Sequence, residues 1–162
     1  MADHDTTGIR AKVLTVSDGV IHGTRENKSG AALAEFLIAQ GIDVVDRLVV
    51  ADGVENVSSA LRELSADFNG LIVTTGGTGF GPRDLTPEGT RLVIEREAPG
   101  LAEAMRLVNP LGRLSRGLAG TLGESLILNT PGSTKGCVEM TEAVIDLVPH
   151  AVRLMSSAPT EH

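Results

Sequence analysis

Four glycines fall within six positions, at Gly76, Gly77, Gly79 and Gly81, directly after the apolar run Leu71-Ile72-Val73. That run, opened by Asn69-Gly70, reads as a buried strand, and the glycines after it allow positive φ and let a ligand reach the backbone without meeting a Cβ. Successive N–H groups in such a turn form a nest for an anion. Thr86-Pro87-Glu88 then has the make-up of a helix start, with Thr86 as N-cap, Pro87 in the first position and Glu88 in the first turn. Arg83 and Asp84 lie between turn and helix. An arginine fork grips phosphate, and a carboxylate holds Mg²⁺ beside phosphate oxygens. Glycine-rich loops also serve as plain turns. The stretch is not a Walker A loop, since no Gly-Lys-Ser/Thr follows at the required spacing. It is not the dinucleotide fingerprint either, because it does not belong to the first strand–turn–helix unit.

The remaining chain alternates strands with helices. Ala11–Val16 is a strand closed by Ser17-Asp18-Gly19, and Val20–Gly30 is polar and reads as a surface loop. Ala31–Gln40 is a helix with Leu33, Phe36 and Leu37 on one face and Gly41 as its stop. Ile42–Val50 is the second strand. Val54–Ala66 is the next helix, and Asp52 before it reads as its N-cap as readily as a catalytic group. After the glycine turn come helical stretches at Pro87–Ala98 and Leu101–Val108, broken at Pro99-Gly100. Asn109–Gly117 is an irregular segment carrying Arg113, Ser115 and Arg116. Leu118–Leu122 and Ser125–Leu128 pair as a hairpin across Gly123-Glu124. Pro131-Gly132-Ser133-Thr134-Lys135 then repeats the sequence of strand, glycine turn and helix, with Val138–Val148 helical and Pro149–Met155 continuing after a kink.

Such alternation predicts a mainly parallel sheet covered by helices on both faces. Ligands of such sheets bind outside the carboxyl ends of the strands. The chemically suggestive residues fall at four such ends: Ser17-Asp18, Asp52, Gly76–Asp84 and Pro131–Lys135. Lys135, taken alone, reads as a solvated lysine; at a helix N-terminus it would reinforce an anion site.

At 162 residues the chain is sized for one domain. Its formal charge is −7, with no Trp, no Tyr and three Phe. It therefore lacks both the basic patch and the aromatic platform of a nucleic-acid binder. An acidic chain that binds a polyphosphate needs local positive charge from Mg²⁺ and a few placed Arg or Lys residues. One cysteine, Cys137, makes no internal disulfide, which suits a reducing, cytoplasmic setting, and it reads as a small buried hydrophobe. Met1–Thr7 is polar with two aspartates, so no secretory leader is expected there. Val144–Leu154, the most apolar stretch near the C-terminus, is too short and too charged to span a bilayer.

Thr74-Thr75-Gly76-Gly77-Thr78-Gly79 followed by Pro82-Arg83-Asp84-Leu85-Thr86-Pro87-Glu88 closely resembles the signature of the MogA/MoaB-type molybdopterin-binding proteins. This family includes bacterial molybdopterin adenylyltransferases and the gephyrin G domain. Val16-Ser17-Asp18 resembles the family's first strand exit, and Pro131-Gly132-Ser133-x-Lys135 its second glycine turn. The likeness extends over residues 9–155, leaving 1–8 and 156–162 as flexible tails. It implies a three-layer α/β domain, a homotrimer that binds molybdopterin and Mg-ATP. The implied reaction transfers adenylyl to the pterin's terminal phosphate, releases pyrophosphate and prepares for molybdenum insertion with a partner protein.

By the same resemblance Asp52 and Asp84 are the catalytic, Mg²⁺-holding pair. Ser17, Asp18, Gly76, Gly77, Thr78, Gly79, Arg83, Ser115, Arg116, Pro131, Gly132, Ser133 and Lys135 are the substrate- and nucleotide-binding candidates. The chain departs from the family pattern at Ala51 and Gly53 beside Asp52, and at Thr130 and Thr134 in the last turn. A non-catalytic pterin-binding or scaffolding member is the alternative. A CinA-type hydrolase fits less well, because that group resembles Gly-Gly-Leu-Gly-Pro-Thr with paired aspartates, a pattern absent here.

Overall fold

The computed structural model describes residues 5–156. Residues 1–4 and 157–162, most of the two expected tails, lie outside the described residues. Asp5–Gly8 is held against the body. The Arg153 guanidinium donates to the carbonyls of Asp5 and Thr7, and the Thr6 hydroxyl donates to the Gln40 carbonyl.

One six-stranded sheet organises the chain in the order β2-β1-β3-β6-β5-β4. Strands β1 (Arg10–Val16), β2 (Asp43–Val50), β3 (Gly70–Thr75) and β6 (Ser125–Thr130) run parallel. Strands β5 (Ala119–Leu122) and β4 (Arg96–Glu97) close the sheet antiparallel. The expected hairpin is therefore present as β5–β6, turning at Gly123, but β6 also lies against β3, so the hairpin is part of the main sheet. Strand β4 was not legible in the sequence. The expected helix Pro87–Ala98 stops at Arg91 (α4, Thr86–Arg91), and Arg96–Glu97 pairs with the edge of β5 instead.

Side-chain alternation along the inner strands feeds two cores. Ala11, Val13, Leu71, Val73, Leu126 and Leu128 point to the face covered by α2 (Lys28–Ala39), α5 (Pro99–Leu107), α6 (Thr134–Glu142) and α7 (Val148–Met155). Leu14, Val16, Ile72 and Ile127 point to the other face, under α3 (Val54–Ser65) and Phe68. A sheet buried on both sides has near-continuous apolar strands, which is why β3 is buried at every position. The architecture is the expected three-layer α/β sandwich.

Three helix starts differ from expectation by two residues or more, each for a capping reason, and the helix expected over Val138–Val148 ends at Glu142, before a 3₁₀ turn at Ile145–Leu147. Asn27 accepts from the Gly30 N–H and starts α2 at Lys28, three residues ahead of Ala31. Pro99 begins α5 rather than breaking a helix, because a first-turn proline forfeits no intrahelical bond. Ser133 accepts from the Gly136 N–H and starts α6 at Thr134. Within the polar stretch read as a loop, Ser17 caps a single turn, α1 (Asp18–Ile21), by accepting from the Val20 N–H.

Candidate active site

The exits of β1, β2, β3 and β6 all open on one edge of the sheet, and beside them lies a cleft of about 930 Å³. The strand order passes from β2 through β1 to β3, so the chain leaves β1 between strands whose connections diverge and a crevice results. Ser17, Asp52, Gly76, Gly77, Thr78, Gly79, Asp84, Ser115, Pro131, Gly132, Ser133 and Lys135 from the sequence-based candidates all line it. Asp18, Arg83 and Arg116 do not.

The two glycine turns lie in contact. Gly76 donates its N–H to the Thr130 carbonyl at 3.1 Å, and a Cβ on Gly132 would sit 3.5 Å from the Gly76 Cα. Gly76 (φ +102°) and Gly77 (φ +69°) hold left-handed backbone. A Cβ on Gly76 would strike the Val16 carbonyl, and one on Gly77 would strike the Thr86 hydroxyl. Buried threonines lock these strand ends. Thr75 donates to the Pro131 carbonyl at 2.8 Å, Thr130 to the Thr74 carbonyl at 2.7 Å, and Thr86 to the Gly76 carbonyl at 2.9 Å. The expected capping of α4 by Thr86 is not found. Its hydroxyl is spent on the glycine turn instead, and Leu85 stands at the cap position without a side-chain bond.

Asp52 is likewise not the cap of α3. Gly53 occupies that position, and no side chain caps the helix. The Asp52 carboxylate turns back and accepts from the Asp18 N–H through Oδ2 at 2.9 Å, while the Asp52 N–H donates to Asp18 Oδ1 at 3.1 Å. This reciprocal pair joins the exits of β1 and β2. Burial pushes the Asp52 carboxyl above the ordinary aspartate range. The Asp18 N–H opposes that rise, and the nearby carboxylates of Asp18 and Asp84 add to it. Asp18 shifts the other way, because the Arg83 guanidinium holds its carboxyl low.

Asp84 follows the glycine turn and folds back onto it, with Oδ2 accepting from the Gly81 N–H at 2.9 Å. Among the described residues no three His, Cys, Asp or Glu side chains are grouped as a metal cage. The Asp52 and Asp84 carboxylates on one cleft are nevertheless a donor set Mg²⁺ uses when substrate oxygens and waters complete its shell. The raised Asp52 carboxyl points the same way, since a cation there offsets both burial and like-charge crowding. The residues fit the ion.

The cations of the cleft are not the ones singled out from the sequence. Arg83 and Arg116 sit outside it with their guanidinium groups bonded to protein: Arg83 to Asp18, and Arg116 to Glu88 at 2.7 Å. Arg25, Lys28 and Lys135 line it. Lys135 is 82% exposed and lies 3.5 Å from Glu139, one helical turn on. By sequence Arg25 and Lys28 belong to a polar surface loop and carry no mark of function. The readable signal is Asn27 with Gly30 three residues later, which marks a helix start and hence a fixed rather than solvated segment. Leu111, Leu114 and Met140 supply an apolar wall, and the 3₁₀ turn Pro110–Leu114 carries the first two.

The Gly77, Thr78 and Gly79 N–H groups donate to no acceptor among the described residues, and in the first turn of α6 the Thr134 and Lys135 N–H groups are likewise free, whereas those of Gly136 and Cys137 are taken by Ser133. The arrangement offers two anion cradles, three cations and four carboxylates, of which Glu139 pairs with Lys135 and Asp52 and Asp84 stand at the strand exit and the glycine loop. It can hold two phosphate-bearing molecules side by side with a divalent ion.

Residues 12–150 match a family described as a probable molybdopterin binding domain. A molybdopterin adenylyltransferase of Helicobacter pylori (strain J99) is 36% identical over 154 residues, covering 91% of this chain and 88% of its own length. The molybdenum cofactor synthesis protein cinnamon of Drosophila melanogaster is 37% identical over 150 residues, covering 88% of this chain; the chain spans only 25% of that longer protein. Among solved structures, the molybdopterin biosynthesis enzyme MoaB of Thermus thermophilus superposes with a TM-score of 0.86 at 43% identity. The superposition covers 94% of this chain and 99% of that one.

Proposed function

The chain belongs to the molybdopterin-binding domain family, and from that premise we propose that it is a molybdopterin adenylyltransferase of molybdenum cofactor biosynthesis. The observation that carries the proposal is the meeting of Asp52 and Asp84 with two touching glycine turns on one cleft.

The reaction joins two polyanions. A terminal phosphate oxygen of molybdopterin attacks the α-phosphorus of ATP, a P–O bond forms, and the bond to the β-phosphate oxygen breaks to release pyrophosphate. The attacking phosphate is already ionised near neutral pH, so no general base is required, and catalysis is positioning and charge neutralisation. The free N–H groups of Gly77–Gly79 and the start of α6 cradle phosphate oxygens. Arg25, Lys28 and Lys135 offset the incoming charge, and Ser133 adds a hydroxyl beside the second turn. Asp52 and Asp84 would hold Mg²⁺, which supplies charge stabilisation to the reacting phosphates. Leu111, Leu114 and Met140 give the pterin or the base an apolar face. Cys137 takes no part: it is fully buried, and burial pushes its thiol up to about 11.

The chain acts in the cytoplasm, with ATP as co-substrate, and its product passes to a molybdenum-insertion partner. No helix among the described residues is long and apolar enough to cross a membrane. The assembly is a homotrimer, and the exposed Leu107 (84%) and Val108 (44%) at the end of α5, outside the cleft, support self-association. Sedimentation as a monomer at micromolar concentration would count against the trimer. Incubation with molybdopterin and Mg-ATP tests the reaction, with adenylylated pterin and pyrophosphate as the expected products. Tight pterin binding without pyrophosphate would leave a non-catalytic pterin-binding member.

A further inference from the structure

Two arginines flank Asp52 and Asp84 in space, and neither lines the cleft. Arg83 donates from Nε to Asp18 Oδ2 at 2.6 Å, and from Nη2 to Asp18 Oδ1 at 3.1 Å and to the Asp52 carbonyl at 2.9 Å. It thereby ties the glycine loop to the exits of both β1 and β2. Asp18 in turn exchanges two hydrogen bonds with Asp52, one of them onto the Asp52 carboxylate itself. The orientation of Asp52 is therefore fixed by Asp18, and Asp18 is fixed by Arg83.

Arg116 does the equivalent for Asp84. Its N–H donates to the Thr78 carbonyl at 2.9 Å, its Nε to the Gly79 carbonyl at 2.8 Å, and its Nη2 to the Asp84 carbonyl at 2.6 Å. Glu88, at the start of α4, anchors the guanidinium at 2.7 Å through Nη1. Three carbonyls of one loop are thus gathered on a single residue. Turning those carbonyls outward leaves the neighbouring N–H groups and the Asp84 carboxylate to face the cleft.

We infer that Arg83 and Arg116 are positioning residues, one for each metal-holding aspartate, and that neither contacts a substrate phosphate. A free arginine fork beside a phosphate site grips phosphate by default. Here all three guanidinium nitrogens of Arg116, and the Nε and Nη2 of Arg83, are already bonded to protein acceptors in an arrangement only a planar guanidinium can satisfy, so lysine, with one nitrogen, does not substitute. Charge neutralisation is left to Arg25, Lys28 and Lys135, which do face the cleft. The prediction is a separation of roles: loss of a brace misplaces an aspartate, whereas loss of a cleft cation weakens ligand binding.

The inference rests on the proposed adenylyl transfer, and the test separates the two. Arg83→Lys, Arg116→Lys and, as contrast, Lys135→Ala are compared with wild type, with melting curves to confirm folding. If either arginine variant fails to fold, Asp18→Asn and Glu88→Gln, which slacken the same braces, replace it. Affinity for α,β-methylene-ATP is measured by calorimetry, Mn²⁺ binding in that complex by electron paramagnetic resonance, and steady-state transfer across a Mg²⁺ series. Backbone hydrogen exchange is followed over residues 76–85 without ligand. The brace variants should lose about 10²-fold in kcat, the scale of a small misplacement. They should also need more Mg²⁺, bind Mn²⁺ more weakly, exchange faster in that loop and keep their nucleotide affinity. Lys135→Ala should lose affinity and keep the loop's exchange rate.

Nucleotide affinity lost in the arginine variants as in Lys135→Ala would make them direct ligands and overturn the inference. Unchanged loop exchange in Arg116→Lys or Glu88→Gln would also overturn it. A wild-type protein that neither transfers nor binds would defeat the functional proposal, and loop exchange would still decide for or against the brace.

Discussion

Asp52→Asn separates the charge of this side chain from its shape. The substituted amide keeps an oxygen that can accept from the Asp18 N–H, as Oδ2 does at 2.9 Å, and the Asp52 backbone N–H to Asp18 Oδ1 is untouched. The joint between β1 and β2 therefore survives. What disappears is a negative charge that burial disfavours and that stands against the carboxylates of Asp18 and Asp84. The sign follows from the raised carboxyl. A group that holds its proton more tightly when folded stabilises the fold below its unfolded value and loses that contribution as pH rises through the folded value. At neutral pH the ionised Asp52 is thus a liability to the ligand-free protein. Relief of partly screened repulsion of this kind is worth about 0.2–1 kcal/mol, which for a domain of this size raises Tm by about 1–4 °C. Transfer moves the opposite way, falling by orders of magnitude, because metal stabilisation of the reacting phosphates is worth several kcal/mol and each 1.36 kcal/mol is about tenfold in rate. Calorimetric melting at pH 7 and pyrophosphate release on the same preparation read both effects. Unaltered turnover with unaltered Mg²⁺ dependence would refute the catalytic role. A fall in Tm of several degrees would show the charge to be structural and refute the electrostatic reasoning.

Lys135→Ala removes a charge-assisted contact and should weaken nucleotide or pterin binding by about 1.5–3 kcal/mol, read by calorimetric titration, with the melting temperature held. Ser133→Ala should weaken binding too, but it also deletes the cap of α6 and so costs about 1 kcal/mol of stability, measured by urea unfolding. Gly76→Ala forces a Cβ onto the Val16 carbonyl at φ +102° and should destabilise by at least about 1–3 kcal/mol in the same assay; a silent variant would mean the two glycine turns can part. Cys137, pushed up to about 11 by burial, should resist thiol reagents at pH 8 until denaturant is added. Because the thiol's ordinary value is 9.0, the stability held by the neutral form is present below pH 9 and lost as pH climbs towards 11, which unfolding curves across that range would register.

Wherever a property follows from local periodicity, the sequence was sufficient. Leu71–Val73 reads as buried strand because an inner parallel strand is apolar on both faces. The repeated order of strand, turn and helix prescribes a sheet with covered faces. Asp52, Asp84 and the two glycine turns were legible as candidates because each ends a strand, and in a parallel sheet the strand ends share one edge. The short β4 was not legible, since two exposed residues, Arg96 and Glu97, carry no pattern and are strand only because β5 presents an unpaired edge. The partners of polar side chains were decided by tertiary structure alone. Thr86 and Asp52 both have the composition of helix caps, yet a buried carbonyl claims one and the N–H of another loop claims the other. The arginines make the same point most sharply. Sequence marks Arg83 and Arg116 as phosphate binders by charge and nearness to glycine, but acceptors up to 65 positions away in the chain fill their forks and turn them into braces. Arg25 and Lys28 reach the cleft because Asn27 fixes the start of α2. Charge and propensity are written residue by residue, whereas a hydrogen bond needs two groups brought within about 3 Å, and only the folded chain selects which two.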